Sequence, residues 1–212
     1  MNRVIITSNL LELSKTFIEK FEVISLSRNK PNIPSIHLET DLTDEYSINK
    51  TVEEIKEKYS NFSTIICCAG IYIEKIDSIN HKNTDNMFKV NIIQAYLLSN
   101  LTNLIKDNNA DLIFVGATIY KGNEFMPMYS ITKRLRLIEN RRNELKNNSC
   151  RVIGIHPMNT ESNIGIEGRE TIISNITKKV TLLDKTAISN FIYNLTQLPK
   201  NMEVSEIIIN RK

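Results

Sequence analysis

This 212-residue sequence contains no apolar run near the roughly 20 residues that a bilayer-spanning helix needs, so no membrane association is expected. It has three cysteines, Cys67, Cys68 and Cys150, and three histidines, His37, His81 and His156. The odd cysteine count gives no disulfide framework, and the spacing of the six residues gives no zinc or other metal-ligand pattern. No metal is therefore expected. Internal repeats, low-complexity tracts and linkers are also missing, and the length suits one domain of ordinary size, so a single domain over residues 1–212 is expected. The opening MNRVIITSNL carries one early Arg, an apolar run too short for a signal-peptide core and no small-residue cleavage site after it, which predicts a cytoplasmic chain.

A further absence is local. The stretch IITSNLLELSKTFIEKF, residues 5–21, starts as an apolar strand, breaks into a polar turn and continues as an amphipathic helix. In a nucleotide-binding βαβ unit this turn is where glycines let the backbone approach a pyrophosphate, and here there are none.

What is present reads as a soluble globular composition, with 41% hydrophobic and 24% charged residues. The net charge of +3 and pI near 8.7 raise the question of nucleic acid. The segment KRLRLIENRRNELK collects Lys133, Arg134, Arg136, Arg141 and Arg142 on one predicted helix, but Glu139 and Glu144 are interleaved with them. Sign-mixed charge of this kind marks an exposed helix face, and no nucleic-acid partner is expected.

Apolar runs alternate with helical patterns from end to end. Strands are predicted at RVIITS, EVISLSR, SIHLETDL, FSTIICCAG, ADLIFVGAT, CRVIGIHP and VSEIIIN. Helices are predicted at LLELSKTFIEKF, EYSINKTVEEIKEKY, Thr84 to about Lys106, MYSITKRLRLIENRRNELKN and DKTAISNFIYNLTQL. Ile- and Val-rich strands between helices of this length predict an α/β fold: a doubly wound, Rossmann-like, mostly parallel sheet with helices on both faces. Its ligand crevice lies at the carboxyl ends of the strands. Those ends are Thr7 to Ser14, Ser27 and Arg28, Asp41 and Leu42, Cys67 to Gly70, Gly116 to Thr118, and Pro157 to Ser162. Helices add Asn91 in KVNII and Tyr129 with Lys133 in YSITK.

In these residues the chain resembles the short-chain dehydrogenase/reductase family over nearly its whole length. CCAG stands where that family has Asn-Asn-Ala-Gly, FKVNIIQAY matches its helix with an active-site Asn, and YSITK matches Tyr-x-x-x-Lys. HPMNTES stands where it has Pro-Gly-x-x-x-Thr, and LPKNMEVSEIIIN is similar to members ending in a comparable strand. Order and spacing together carry the resemblance, since Tyr-x-x-x-Lys alone arises by chance.

Tyr129 and Lys133 are four apart, so on a helix they share one face about 5–6 Å apart at Cβ. An ammonium there favours the phenolate and moves a tyrosine, ordinarily with a pKa near 10, towards the range of a working acid–base group. The resemblance implies that Tyr129 exchanges the proton with a carbonyl or alcohol oxygen, that Lys133 also holds the cofactor ribose, and that Asn91 positions a water linking Lys133 to solvent. It implies cofactor contacts at Tyr129 and Lys133 themselves and further ones at Thr7, Ser8, Ser14, Arg28, Asp41, Leu42, Ala69, Gly70, Pro157 and Ser162. Arg28 sits where NADP-preferring members hold the 2′-phosphate, and Asp41 where the family's Asp contacts adenine; otherwise Arg28 is a surface charge and Asp41 a turn cap.

The chain departs from the family at two places. The glycines of Thr-Gly-x-x-x-Gly-x-Gly fall on Ser8, Glu12 and Ser14, and Glu12 brings a carboxylate to a helix N-terminus where a pyrophosphate competes for the same place. The family's substrate-binding Ser falls on Ala117, with Thr118 beside it as a substitute if the strand end is shifted by one residue. Met158 for Gly and Cys67 and Cys68 for two Asn are further differences.

The resemblance implies an NAD(P)-dependent oxidoreductase that interconverts a carbonyl and a secondary alcohol on a small molecule. NADP(H) is expected ahead of NAD, with no cofactor as the alternative. A second reading is a degenerate binding or partner protein whose dinucleotide turn Glu12 closes. A third is a non-redox enzyme using Tyr129 and Lys133 for proton transfer alone. Family members often pair through the helices carrying Asn91 and Tyr129, which implies a homodimer or homo-oligomer, although Arg134 and Arg136 set like charges against each other across such a two-fold axis.

Overall fold

Among the described residues, seven strands form one sheet in the order β3-β2-β1-β4-β5-β6-β7, and every neighbouring pair runs parallel. The computed structural model describes residues 2–7, 11–70, 81–117, 150–158, 160 and 182–210, without the side chains at 11, 12, 14, 81, 91–99 and 102. The strands are β1 Arg3–Thr7, β2 Glu22–Ser27, β3 Ile36–Glu39, β4 Phe62–Cys67, β5 Asp111–Val115, β6 Val152–Pro157 and β7 Glu206–Ile209. The described helices are α1 Leu11–Ile18, α2 Glu45–Lys58, α3 His81–Asn100, α4 Thr102–Asp107 and α5 Lys185–Thr196. The predicted helix over MYSITKRLRLIENRRNELKN lies outside the described residues.

Alternation along each strand divides the apolar side chains between two faces, as a pleated sheet requires. Ile5, Ile24, Leu26, Ile65 and Leu112 pack beneath Ile48, Val52 and Ile55 of α2, Val90 of α3, Leu101, and Ile105 of α4. Val4, Ile6, Val23, Ile66, Ile113 and Ile153 pack against Leu13 and Phe17 of α1 and Ile192 and Leu195 of α5. Ile5, Ile6, Ile24 and Ile65 are wholly buried, worth roughly 1.5–3 kcal/mol per side chain against exposure. On the second face Phe17 sits edge-on to Tyr193 with centroids 5.5 Å apart, joining α1 to α5.

Helix starts follow local chemistry. The Asp44 carboxylate accepts the N–H groups of Tyr46 and Ser47, Glu45 stands in the first turn and Lys56 and Lys58 in the last, so caps and charges agree with the helix dipole. Asp184 likewise accepts the N–H of Thr186 at the start of α5. With few glycines in the chain, asparagine takes the left-handed positions: Asn61 before β4 has φ 59° and Asn109 before β5 has φ 49°.

Two elements differ from expectation. The helix predicted from Thr84 to about Lys106 is two helices, broken at the fully buried Leu101. Asn100 and Thr102 flank the break, and both are residue types that compete with a helical backbone for hydrogen bonds. The third strand is Ile36–Glu39, shorter than SIHLETDL, because Thr40 and Asp41 turn away into the loop before α2.

The connection from β2 to β3, residues 28–35, is short for a parallel crossover and contains no helix. Strand order reverses between β1 and β4, which opens a crevice at the carboxyl ends of these strands.

Candidate active site

Beside that reversal lies a cleft of about 180 Å³. Five residues singled out in the sequence meet there: Arg28 beyond β2, Asp41 and Leu42 beyond β3, and Ala69 and Gly70 beyond β4. Ser27, named with Arg28 as a strand end, lies beside them, and Leu26, Asn29, Thr40 and Val90, which were not singled out, complete the lining. Parallel strands bring residues distant in sequence to one edge, which is why reading strand ends finds most of the wall. Val90 was the harder one, since it enters from a helix.

Each wall has a local cause. Thr40 is buried, its hydroxyl donating to the Leu38 carbonyl at 3.0 Å and bonded to Thr51 at 2.9 Å, which ties the β3 end to α2. Asp41 Oδ1 accepts the N–H and the hydroxyl of Thr43 at 2.8 and 2.7 Å, and its own N–H donates to Ser47 Oγ at 2.9 Å. Asp41 thus caps the turn. Burial pushes its carboxyl up, but the two bonds from Thr43 and the nearby Arg28 guanidinium outweigh this and hold it below the usual carboxylate range. Arg28 itself is exposed at the cleft.

Thr7 is fully buried at the end of β1, and its hydroxyl accepts the N–H groups of Cys68 and Ala69 at 3.2 and 3.4 Å. Its side chain therefore fixes the start of the segment that carries Ala69 and Gly70. Cys68 Sγ donates to the Thr7 carbonyl at 3.3 Å, and burial pushes the Cys67 thiol far above its ordinary range, so Cys67 is an inert core residue. All three cysteines are free thiols.

The ends of β5, β6 and β7 interlock around a pair the sequence did not reveal. His156 is wholly buried, and its Nε2 lies 2.5 Å from Glu206 Oε2. Two glycines make room for it: a Cβ on Gly116 would stand 2.5 Å from His156 Nδ1, and one on Gly154 2.5 Å from Glu206 Oε2. Pro157 follows at the end of β6 and is buried, and the Met158 N–H donates to the Ile209 carbonyl at 2.9 Å. This anchors the segment leading away from β6.

Asn91 lies within α3 and Ser14 within α1, but their side chains are outside the description. Ser8, Thr118, Tyr129, Lys133 and Ser162 lie outside the described residues altogether. Among the described residues no His, Cys, Asp and Glu group could hold a metal ion, and no helix is long and apolar enough to cross a membrane.

A parallel sheet of this strand order, with a cleft at its switch point, defines a doubly wound α/β protein of Rossmann type. The chain belongs to the short chain dehydrogenase family, whose model matches residues 16–172. That match begins beyond β1 and the turn after it. Solved structures agree in fold. A short chain dehydrogenase family protein from Francisella tularensis subsp. tularensis SCHU S4 superposes with a TM-score of 0.81 at 16% identity, over 99% of this chain and 97% of that one. An alcohol dehydrogenase from the archaeon Thermococcus sibiricus, complexed with 5-hydroxy-NADP, gives 0.79 at 14% identity, over 100% and 99%. A 3-ketoacyl-(acyl-carrier-protein) reductase from Brucella melitensis, complexed with NADH, gives 0.80 at 16% identity, over 98% and 96%. Comparison with curated protein sequences gives no match.

Proposed function

We propose that this chain, as one domain over residues 1–212, is an NAD(P)-dependent oxidoreductase that interconverts a carbonyl and a secondary alcohol on a small substrate. The observation that carries this reading is the cleft at the switch point, where Arg28, Asp41, Leu42, Ala69 and Gly70 converge. The lining suits the adenosine half of a dinucleotide: Leu26, Leu42, Ala69 and Val90 offer apolar walls to a purine, and Arg28 offers a cation to a phosphate. Family membership and the oxidoreductases of like fold support it.

In this reading Arg28 meets a 2′-phosphate, Asp41 and Leu42 meet the adenine edge, Ala69 and Gly70 pass beside the ribose, and Pro157 and Ser162 border the nicotinamide. A nicotinamide held there would supply the hydride chemistry at the substrate carbon. Tyr129 gives or takes the proton at the substrate oxygen, and Thr118 donates a hydrogen bond to that oxygen in place of a serine. Lys133 favours the phenolate and holds the ribose, while Asn91 orients a water that links Lys133 to solvent. Ser8 and Ser14 line the phosphate turn, and Thr7, buried at the end of β1, supports it from the core rather than touching the cofactor.

Calorimetric titration with NADPH and NADH tests the cofactor assignment. NADPH is expected to bind more tightly, and Arg28→Ala to erase the difference. A charge-assisted contact of roughly 1.5–3 kcal/mol corresponds to roughly 10- to 150-fold in affinity. Equal affinities in the native protein return Arg28 to the role of a surface residue.

The degenerate, partner-binding reading has one observation of its own. The family match begins at residue 16, beyond a turn whose three glycine positions hold Ser8, Glu12 and Ser14. Glu12 is the second residue of α1 and so stands in the helix's first turn. Two like unit charges about 5 Å apart repel by roughly 3 kcal/mol at an effective dielectric of about 20, before solvent screening. A net cost of about 1.4–3 kcal/mol makes native NADPH binding weak, and Glu12→Gly should tighten it about 10- to 100-fold. Failure of both proteins to bind favours the partner-binding reading.

A further inference from the structure

We propose that His37 is a positioning residue that fixes how Arg28 is presented at the cleft and so sets the preference between NADPH and NADH; this rests on the role assigned to Arg28 above. The starting point is the connection between β2 and β3. Parallel crossovers are ordinarily closed by a helix, whose own hydrogen bonds order the chain next to the strand end. Residues 28–35 form no helix, so the strand end that carries Arg28 must be ordered by other means.

Side chains from the two strands do this. His37 on β3 pairs at its Cα with Ser25 on β2, and its ring extends along β2 to Ser27. His37 Nε2 lies 2.8 Å from the Ser27 carbonyl oxygen and 3.3 Å from Ser27 Oγ. A carbonyl only accepts, so Nε2 carries the hydrogen and donates it. The same carbonyl accepts the Thr40 N–H at 3.1 Å. Ser27 Oγ in turn donates to the Asn29 carbonyl at 2.8 Å. The residues on both sides of Arg28 are thereby held, Ser27 through its carbonyl and Asn29 through the Ser27 hydroxyl, and the path of the backbone at Arg28 is set between them. Both Ser27 and Asn29 line the cleft, whereas His37 does not, so His37 acts on the cleft through them.

A group that only supported the fold would weaken both cofactors together. A group that aims Arg28 affects the one ligand carrying a 2′-phosphate. His37→Ala is therefore expected to weaken NADPH binding by about 3- to 10-fold, the equivalent of one hydrogen bond, and to leave NADH affinity unchanged. His37→Gln, whose amide N–H reaches about as far as Nε2, should keep most of the preference. The experiment is calorimetric titration of the native protein, His37→Ala, His37→Gln and Arg28→Ala with NADPH and with NADH. If the alanine variant fails to fold, Ser27→Ala, which cuts the bond to Asn29, takes its place with the same expectation. Equal native affinities remove the Arg28 assignment and this inference with it. A native preference that Arg28→Ala abolishes and His37→Ala leaves intact overturns the role of His37 alone, as does an equal loss for both cofactors.

Discussion

Asp111→Ala is expected to destabilise the protein by about 3–5 kcal/mol, the range found when one partner of a buried ion pair is removed. Asp111 opens β5 and is 1% exposed; Arg151, immediately before β6, is 5% exposed. Arg151 Nε and Nη2 donate to the two carboxylate oxygens at 2.9 and 2.5 Å, a two-point grip suited to a planar guanidinium. Arg151 Nη1 donates to the Leu198 and Pro199 carbonyls at 3.1 and 3.3 Å, and Lys200 Nζ reaches Asp111 Oδ1 at 2.7 Å. The cluster ties the amino ends of β5 and β6 to the turn after α5. Without the carboxylate, a guanidinium is left in the interior with two carbonyl partners, and its desolvation is no longer offset. For a chain of this length the loss corresponds to a fall in Tm of about 6–20 °C. Urea unfolding reads it as a lower midpoint with an unchanged slope. Replacing both partners, Asp111→Leu with Arg151→Met, should restore much of the loss, because an apolar pair of similar volume carries no desolvation cost. A single variant that unfolds at the native midpoint would show that the cluster contributes nothing. The cluster lies at the opposite end of the sheet from the cleft, so cofactor affinity below the transition should be unaffected.

This cluster also shows where sequence reasoning stops. The strands and the helices that face them were legible because their signal is local: RVIIT and EVISLS are apolar runs bounded by turn residues, and EYSINKTVEEIKEK has helical spacing behind an Asp cap. The cleft wall was legible at second hand, since a parallel sheet gathers strand ends and Arg28, Asp41, Leu42, Ala69 and Gly70 all follow strands. Pairings between distant side chains carry no such signal. Asp111 and Arg151 are 40 residues apart, His156 and Glu206 are 50 apart, and nothing in either local pattern names the partner. A charged residue at the mouth of an apolar strand, as in ADLIFV and CRVIGIH, is the one hint available, and it acquires meaning only once β5 and β6 are known to be neighbours. His37 is similar: its position on an edge strand reads as a half-exposed polar residue until the register sets it beside Ser25 and within reach of Ser27. The break at Leu101 was missed for the opposite reason. A fully buried leucine sustains the apolar pattern of a helix while the backbone beneath it turns.

The second large effect is expected at Tyr129. Tyr129→Phe should lower kcat by about 10²- to 10⁴-fold, the range for loss of general acid–base catalysis, while leaving cofactor affinity unchanged. The substitution removes one hydroxyl and keeps the ring, so the change is confined to the proposed proton donor. For reduction of a carbonyl the donor acts in its protonated form, so the native rate should fall as pH rises through the phenol's apparent pKa. For oxidation of the alcohol the phenolate is the acceptor, and the rate should rise over the same range. Lys133 separates this mechanism from an incidental tyrosine. In the proposed mechanism its ammonium favours the phenolate and holds the ribose, so Lys133→Met should displace both limbs to higher pH and also weaken cofactor binding. Tyr129→Phe should abolish the pH-dependent limb without changing affinity. Steady-state rates across pH, set beside calorimetric affinities for the same variants, separate these effects. Turnover that survives in Tyr129→Phe with its pH profile intact removes the proton-transfer role. If the native protein binds a dinucleotide but turns over no carbonyl substrate, the fold is being used for binding alone.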